Sequence, residues 1–205
     1  MEWKNIKIKK PFIIDCNGCK TRCDGKSKGV YNFKNDVEFA EEQEDLIIDK
    51  INKNSNFFAR KTTEAGYPDI EIFNKEGILI NYLEIKAQRR TFMSVERILP
   101  KSNLKPSETL ALNLSDLKRY FEIEKQTKIP TSILWVLMNR PCLIDDNEKR
   151  FFYQKTTKLK EIYLQNITNR KFRRKSGKGD IIDGEHKGVV VNYHFSINEL
   201  IEWKN

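Results

Sequence analysis

Three charged side chains stand where a hairpin would ordinarily pack apolar ones. The segment GYPDIEIFNKEGILINYLEIKAQ, Gly66 to Gln88, holds two Ile-rich runs around the turn Asn74-Lys75-Glu76-Gly77. Asp69 opens the first run directly after Pro68. Glu84 and Lys86 lie one residue apart in the second. Strand alternation puts Glu84, Lys86 and Gln88 on one face and Leu83, Ile85 and Ala87 on the other. Pro68 suits a strand entrance, because it keeps the residue before it extended and cannot donate to a ladder. Pairing across the turn brings Asp69 near Glu84, and two carboxylates that close repel unless a cation separates them. Hard oxygen ligands suit Mg²⁺, which keeps several waters and binds through one or two carboxylates plus a phosphate. Lys86 then stands beside the water and the phosphate oxygen. These are the parts of metal-assisted phosphodiester hydrolysis. The metal acidifies water and polarises the phosphoryl oxygen, and the ammonium orients the water and offsets charge building on phosphorus.

An acid-x-Lys triplet alone is weak evidence, since the chain contains six of them. Only Glu84-Ile85-Lys86 falls inside an expected strand and follows a Pro-Asp pair at hairpin distance. The elements that position it read as follows. Val37, Ala40, Ile47, Ile48 and Ile51 recur at helical spacing and predict a helix from Val37 to about Asn54. Short strands are expected at Phe57–Lys61, Tyr67–Phe73 and Gly77–Ala87. Residues 91–108, with Pro100 and Pro106, read as a long loop. Next come a strand in TLALNL, a helix from Asp116 to Gln126 capped by Ser115, and the apolar run TSILWVLM, expected as a buried central strand. RFFYQ reads as a strand, Thr157–Asn166 as a helix, KGVVVNYHF as a strand, and Ser196 as the cap of a last helix reaching Trp203. Helices alternating with strands predict an α/β class with a mixed sheet.

The pattern YPDIEIF…YLEIKAQ resembles the PD-(D/E)xK nuclease superfamily, the restriction-endonuclease-like fold. The resemblance spans about Val37 to Met138. It implies a mixed β-sheet flanked by helices, with Asp69 and Glu84 binding Mg²⁺ and the Ile85 carbonyl as a further ligand. Lys86 would be the catalytic lysine. Many members add a Glu from the helix before the hairpin. The helical stripe places Glu44 in line with the inward residues, while Glu42 and Asp45 lean outward and Glu41 is the second choice. Gln88 matches a polar position seen in some branches, and completes the candidate catalytic set.

Composition bounds the partners. The chain has 205 residues, a net charge of +9 and a pI near 9.3, which favours a polyanion such as nucleic acid over an anionic membrane. The longest apolar run, Ile133 to Met138, is too short to span a bilayer, and MEWKNIKIKK lacks the apolar core of a secretory signal. The expected location is therefore the cytoplasm. Basic charge gathers at the ends. Lys4 to Lys34 holds nine basic residues against Asp15 and Asp24, and KFRRKSGK, Lys171 to Lys178, holds five and no acid. Arg89 and Arg90, which follow the catalytic strand, and Lys171, Arg173, Arg174, Lys175 and Lys178 are the candidate DNA contacts, with phosphate the main target.

Three of the four cysteines fall in DCNGCKTRCDG. A cytosolic chain has little use for disulfides, so Cys16, Cys19 and Cys23 read as metal ligands or reduced thiols, with Cys142 as a fourth ligand for structural Zn²⁺. His186 or His194 are substitutes for that fourth place, and an iron–sulfur cluster also fits four cysteines. His194, within VNYHF, reads foremost as a packed residue. The expected organisation is a basic Cys-rich appendage over residues 1–35 and a nuclease domain over 36–205. Within that domain lie the core motif at 37–138 and a basic C-terminal region at 145–205.

The leading expectation is a Mg²⁺-dependent DNA endonuclease, most like a type II restriction enzyme. It would act as a homodimer because duplex strands are related by twofold symmetry, and the resemblance implies 5′-phosphate products. A cognate methyltransferase in the same system is a further expected partner. A structure-specific junction or repair nuclease and a nonenzymatic nucleic-acid-binding module on the same fold are the alternatives.

Overall fold

A computed structural model describes residues 33–53, 56–88, 91–138, 140, 142–144, 148–173, 181–182, 185–186 and 191–203. Helix α1 (Phe33–Asn52) leads into a hairpin of strands β1 (Phe57–Lys61) and β2 (Ile70–Asn74), followed by β3 (Leu79–Gln88). A short helix α2 (Val95–Ile98) and one 3₁₀ turn (Pro100–Ser102) precede β4 (Thr109–Asn113) and helix α3 (Leu114–Thr127). Strands β5 (Thr131–Leu137) and β6 (Arg150–Lys155), helix α4 (Thr156–Gln165) and β7 (Lys171–Arg173) follow. The chain continues through β8 (Ile181–Ile182), β9 (Glu185–His186), β10 (Val191–Ser196), a 3₁₀ turn and β11 (Ile201–Trp203).

The expected mixed sheet flanked by helices is present. Six strands run in the order β1-β2-β3-β5-β6-β11, with β3 and β5 parallel and the other pairs antiparallel. The parallel pair needs a crossover, and α2, β4 and α3 supply it. Strand β5 is buried along its whole length, as its unbroken apolar sequence requires. Each sheet face has its own core. Ile47 and Ile51 of α1 pack on Ile70, Ile72, Leu83, Ile85, Leu134 and Val136. On the other face Leu117 and Phe121 of α3 and Leu159 and Ile162 of α4 cover Tyr82, Ile133, Trp135 and Phe152.

Local chemistry fixes the hairpin that carries the charges. Asn74 Oδ1 accepts the backbone N–H groups of Glu76 (3.1 Å) and Ile78 (2.9 Å), and Gly77 takes the left-handed conformation at φ +75° that its missing Cβ allows. The register pairs Ile70 with Leu83 and Ile72 with Asn81, and a bulge follows at Ile72/Phe73. Asn52, the last residue of α1, binds Ala59 through both its amide atoms and so ties the helix end to β1.

Three local expectations are corrected. Residues 91–108 are not an irregular loop throughout. They contain α2 and a 3₁₀ turn, organised by a small core of Val95, Leu99 and Leu104 against Phe92 and Phe172. Ser115 does not cap α3. The helix starts two residues earlier, at buried Leu114, with Asn113 in the N-cap position and no side-chain cap bond, because packing of Leu114 and Leu117 sets the start. The last helix is a single 3₁₀ turn, Ile197–Glu199. Ser196 and Glu199 close a capping box around it, and the chain then extends as β11 along the open edge of β6. Sheet pairing satisfies those backbone groups, and Trp203 packs edge-on to Phe151 while Glu202 pairs with Arg150 at 2.8 Å. The C-terminal region thus completes the main sheet.

A second sheet, β4-β10-β7, lies beyond the end of β3. Side chains from the main sheet hold its β4 backbone. Gln88 donates to the Thr109 carbonyl (3.3 Å) and accepts from the Ala111 N–H (3.0 Å), and Trp135 Nε1 donates to the Ala111 carbonyl (3.2 Å). Buried Arg140 donates to the carbonyls of Ser107 and Thr109, each at 2.8 Å.

Candidate active site

The register of β2 on β3 sets Asp69, one residue before Ile70, across from Glu84. Asp69 Oδ2 accepts the Ile85 N–H at 2.7 Å, which fixes the carboxylate beside β3. The N–H and C=O of one extended residue point to the same strand edge. The Ile85 carbonyl therefore faces the same side as Asp69. Glu84 is 2% exposed and ion-paired through Oε1 to Lys86, whose side chain is 31% exposed. The other Glu84 oxygen, Oε2, is buried and accepts no hydrogen bond. An uncompensated buried carboxylate oxygen is costly, and a cation is one way to satisfy it.

Electrostatics agree with that geometry. Burial raises the Asp69 pKa and is aided by the nearby charge of Glu44, while the Ile85 N–H and Lys86 oppose it. Burial also raises that of Glu84, opposed by Lys86 and aided by Asp69. Glu44 is raised by burial and by its acidic neighbours, with Lys61 opposing. Burial acts to lower the Lys86 pKa, but the attraction and hydrogen bond of Glu84, with Asp69 and Asp116 behind, outweigh it and keep the ammonium charged. Three carboxyl groups whose ionised forms disfavour one another are an environment that a divalent cation would relieve.

Among the described residues no three His, Cys, Asp or Glu side chains converge as a ready-made metal cage. The donor set still fits Mg²⁺, which takes one or two carboxylates and leaves the remaining places to water and phosphate. Asp69, Glu84 with its unsatisfied Oε2, and the Ile85 carbonyl supply that set.

The other expected residues fall in several places. Glu44 is half-buried on α1, unlike exposed Glu41, Glu42 and Asp45, and lies 3.7 Å from Lys61 at the end of β1. It is close enough to influence Asp69 and Glu84 electrostatically, so it belongs to the rim of the cluster. Gln88 shares the Lys86 face, and its amide holds β4. Lys171 and Arg173 are exposed on β7. Arg89, Arg90, Arg174, Lys175 and Lys178 lie outside the described residues, as do Cys16, Cys19 and Cys23. Cys142 is half-buried in a turn after β5. His194 is buried on β10, with Nδ1 against the Arg170 carbonyl (3.2 Å) and its ring 5.0 Å from that of Phe92. It is a packed residue, as its apolar context predicts, and burial lowers its pKa to about 4.

Helix α3 brings residues to the site that the sequence reading did not single out. Tyr120 is buried on the sheet face that bears Tyr82 and Glu84, close enough for the Glu84 charge to act on its phenol. Burial and that carboxylate push the phenol pKa well above its ordinary value, so it stays a donor. Arg119 Nη2 reaches the Tyr120 hydroxyl at 3.4 Å and Asp116 Oδ1 at 2.8 Å. The only sequence signal was the placement of Tyr120 three residues after Leu117 on the buried stripe of α3, which reads as core.

No family model matches the chain, and no curated protein matches it. Among solved structures it is similar to Hjc, a Holliday junction resolvase from Archaeoglobus fulgidus. That match has 10% identity and a TM-score of 0.43, covering 80% of this chain and 91% of the other. It is also similar to D212, a nuclease from a fusselovirus, at 11% identity and a TM-score of 0.42, covering 85% of this chain and 90% of the other.

Proposed function

We propose that the chain is a divalent-metal-dependent nuclease of the PD-(D/E)xK superfamily that hydrolyses phosphodiester bonds in DNA. The observation that carries this reading is the site formed by Asp69, Glu84 and Lys86 on adjoining strands, with Glu84 Oε2 buried and unsatisfied. Asp69, Glu84 and the Ile85 carbonyl would hold Mg²⁺, which when bound supplies Lewis acidity toward the phosphoryl oxygen and a more acidic water. Lys86 keeps its proton and is partly open to solvent, so its ammonium can meet a phosphoryl oxygen and offset the charge that grows there. Its bond to Glu84 aims it along the strand face. The Ile85 N–H steadies Asp69. The basic charge of the chain, +9, favours a polyanionic substrate.

The test is cleavage of supercoiled plasmid, linear genomic DNA, a four-way junction and a single-stranded RNA, each with Mg²⁺ or with chelator. Mg²⁺-dependent DNA cutting that is lost in Asp69→Asn is the expected result. Discrete fragments from linear DNA identify a restriction-type enzyme, and cutting confined to the junction identifies a structure-specific one. DNA binding with no cleavage of any substrate would reduce the chain to a binding module and overturn the proposal.

A further inference from the structure

Resting on the nuclease reading, we infer that Arg119 is a substrate-binding residue that clamps a DNA phosphate beside the metal-binding carboxylates. Arg119 lies on α3, outside the catalytic hairpin and outside both basic runs of the sequence. Its hydrogen bonds among the described residues both leave from Nη2, to Asp116 Oδ1 at 2.8 Å and to the Tyr120 hydroxyl at 3.4 Å. Nε and Nη1 make no hydrogen bond among the described residues, and the side chain is 44% exposed. The guanidinium is thus braced along one edge and open along the other. A planar fork held in that way is suited to two parallel bonds to a phosphate.

The placement is specific. The guanidinium lies over the Tyr120 ring at 5.3 Å, and Tyr120 packs with Tyr82 on the β3 face that also carries Glu84. Arg119 therefore flanks the sheet face that holds the buried carboxylate. Its stem also borders the loop that delivers Asp69. A Cβ built on Gly66 would meet Arg119 Cδ at 3.9 Å, and Gly66 sits at φ +85°, where a side chain is strained. The arginine thus stands between the loop before β2 and helix α3, facing solvent. Asp116 carries one negative charge against it and fixes its direction. Lys86 shares the β3 face of Tyr82 and Glu84 on which α3 packs, so Arg119 would hold a phosphate adjacent to the one that Lys86 meets.

The experiment uses the full chain carrying Asp69→Asn, so that DNA is bound and not cut. Affinity for a fluorescent duplex is measured by anisotropy across a KCl series. Each phosphate contact contributes about 0.9 to the slope of log affinity against log salt. Arg119→Met keeps the stem over Tyr120 and removes the charge. It should weaken binding several-fold and make the slope shallower by about one, while Arg119→Lys keeps most of the slope. Arg119→Gln, which can still donate to Asp116, should repeat the methionine result and carries the test if methionine disturbs the fold. A slope in both neutral variants equal to that of the parent overturns the assignment of Arg119 alone. A parent that binds no DNA at any salt overturns the nuclease reading and this inference with it.

Discussion

Replacing Asp69 by Asn should make the cation-free protein more stable and the protein with cation less so. The amide keeps an oxygen for the Ile85 N–H that Asp69 now accepts at 2.7 Å, so the strand entrance is preserved. It also removes a charge that burial and Glu44 penalise. The sign follows from linkage. A carboxyl whose folded pKa is raised adds stability below its unfolded pKa, and that stability is lost as pH rises through the folded pKa. Wherever the carboxyl is ionised the wild type bears that cost and the variant does not. Without metal, the Asn variant should therefore unfold at a higher temperature than the wild type. With metal the order reverses. A cation at a hundredfold excess over its Kd stabilises the folded state by about 2.7 kcal/mol. For a chain of this length each kcal/mol moves Tm by about 2–4 °C, so the wild type should gain roughly 5–10 °C. The Asn variant, with one of two carboxylate donors gone, should gain little, and its cleavage should fall by about a thousandfold or more. Thermal unfolding against Mn²⁺, Mg²⁺ and Ca²⁺ measures this without any substrate. An equal cation-dependent rise in both proteins would show that Asp69 is not a ligand.

Lys86→Ala should slow cleavage by about 10²–10³-fold while leaving the cation-dependent rise in Tm, because the ammonium faces the substrate and the carboxylates remain; single-turnover cleavage and thermal unfolding separate the two. Burial holds the His194 pKa at about 4, so stability from the neutral ring is present above pH 6.5 and lost as pH falls toward 4. That window is worth about 3 kcal/mol, and His194→Asn should flatten it in urea unfolding at pH 7 and pH 4.5. Gln88→Leu removes two bonds to the β4 backbone and should cost about 1–3 kcal/mol, measured by denaturant unfolding, with the midpoint shifting and the slope unchanged.

Short-range signals located the hairpin that carries Asp69, Glu84 and Lys86. Alternation from Leu79 to Gln88, the Pro68-Asp69 entrance and the Asn74 and Gly77 turn chemistry all act within about 20 residues, where chain geometry decides which side chains can meet. The helical stripe likewise separated half-buried Glu44 from exposed Glu42 and Asp45, because the periodicity of an α-helix is a property of the local sequence. Buried Gln43 was not anticipated, since its polar side chain faces inward to accept from Lys149, over a hundred residues away.

The sequence by itself determined that Asp69, Glu84 and Lys86 share one hairpin, and that an apolar strand at 131–137 would be enclosed. Only the tertiary structure decided what stands opposite them. Tyr120 and Arg119 reach the site because the parallel pairing of β3 with β5 forces a crossover that lays α3 across the face bearing Glu84. Ile201 to Trp203 became a strand because β6 offered an open edge, although three residues carry too little local preference to choose. In each case the deciding energy was backbone pairing or burial supplied by a distant segment, and no local pattern encodes which segment will supply it.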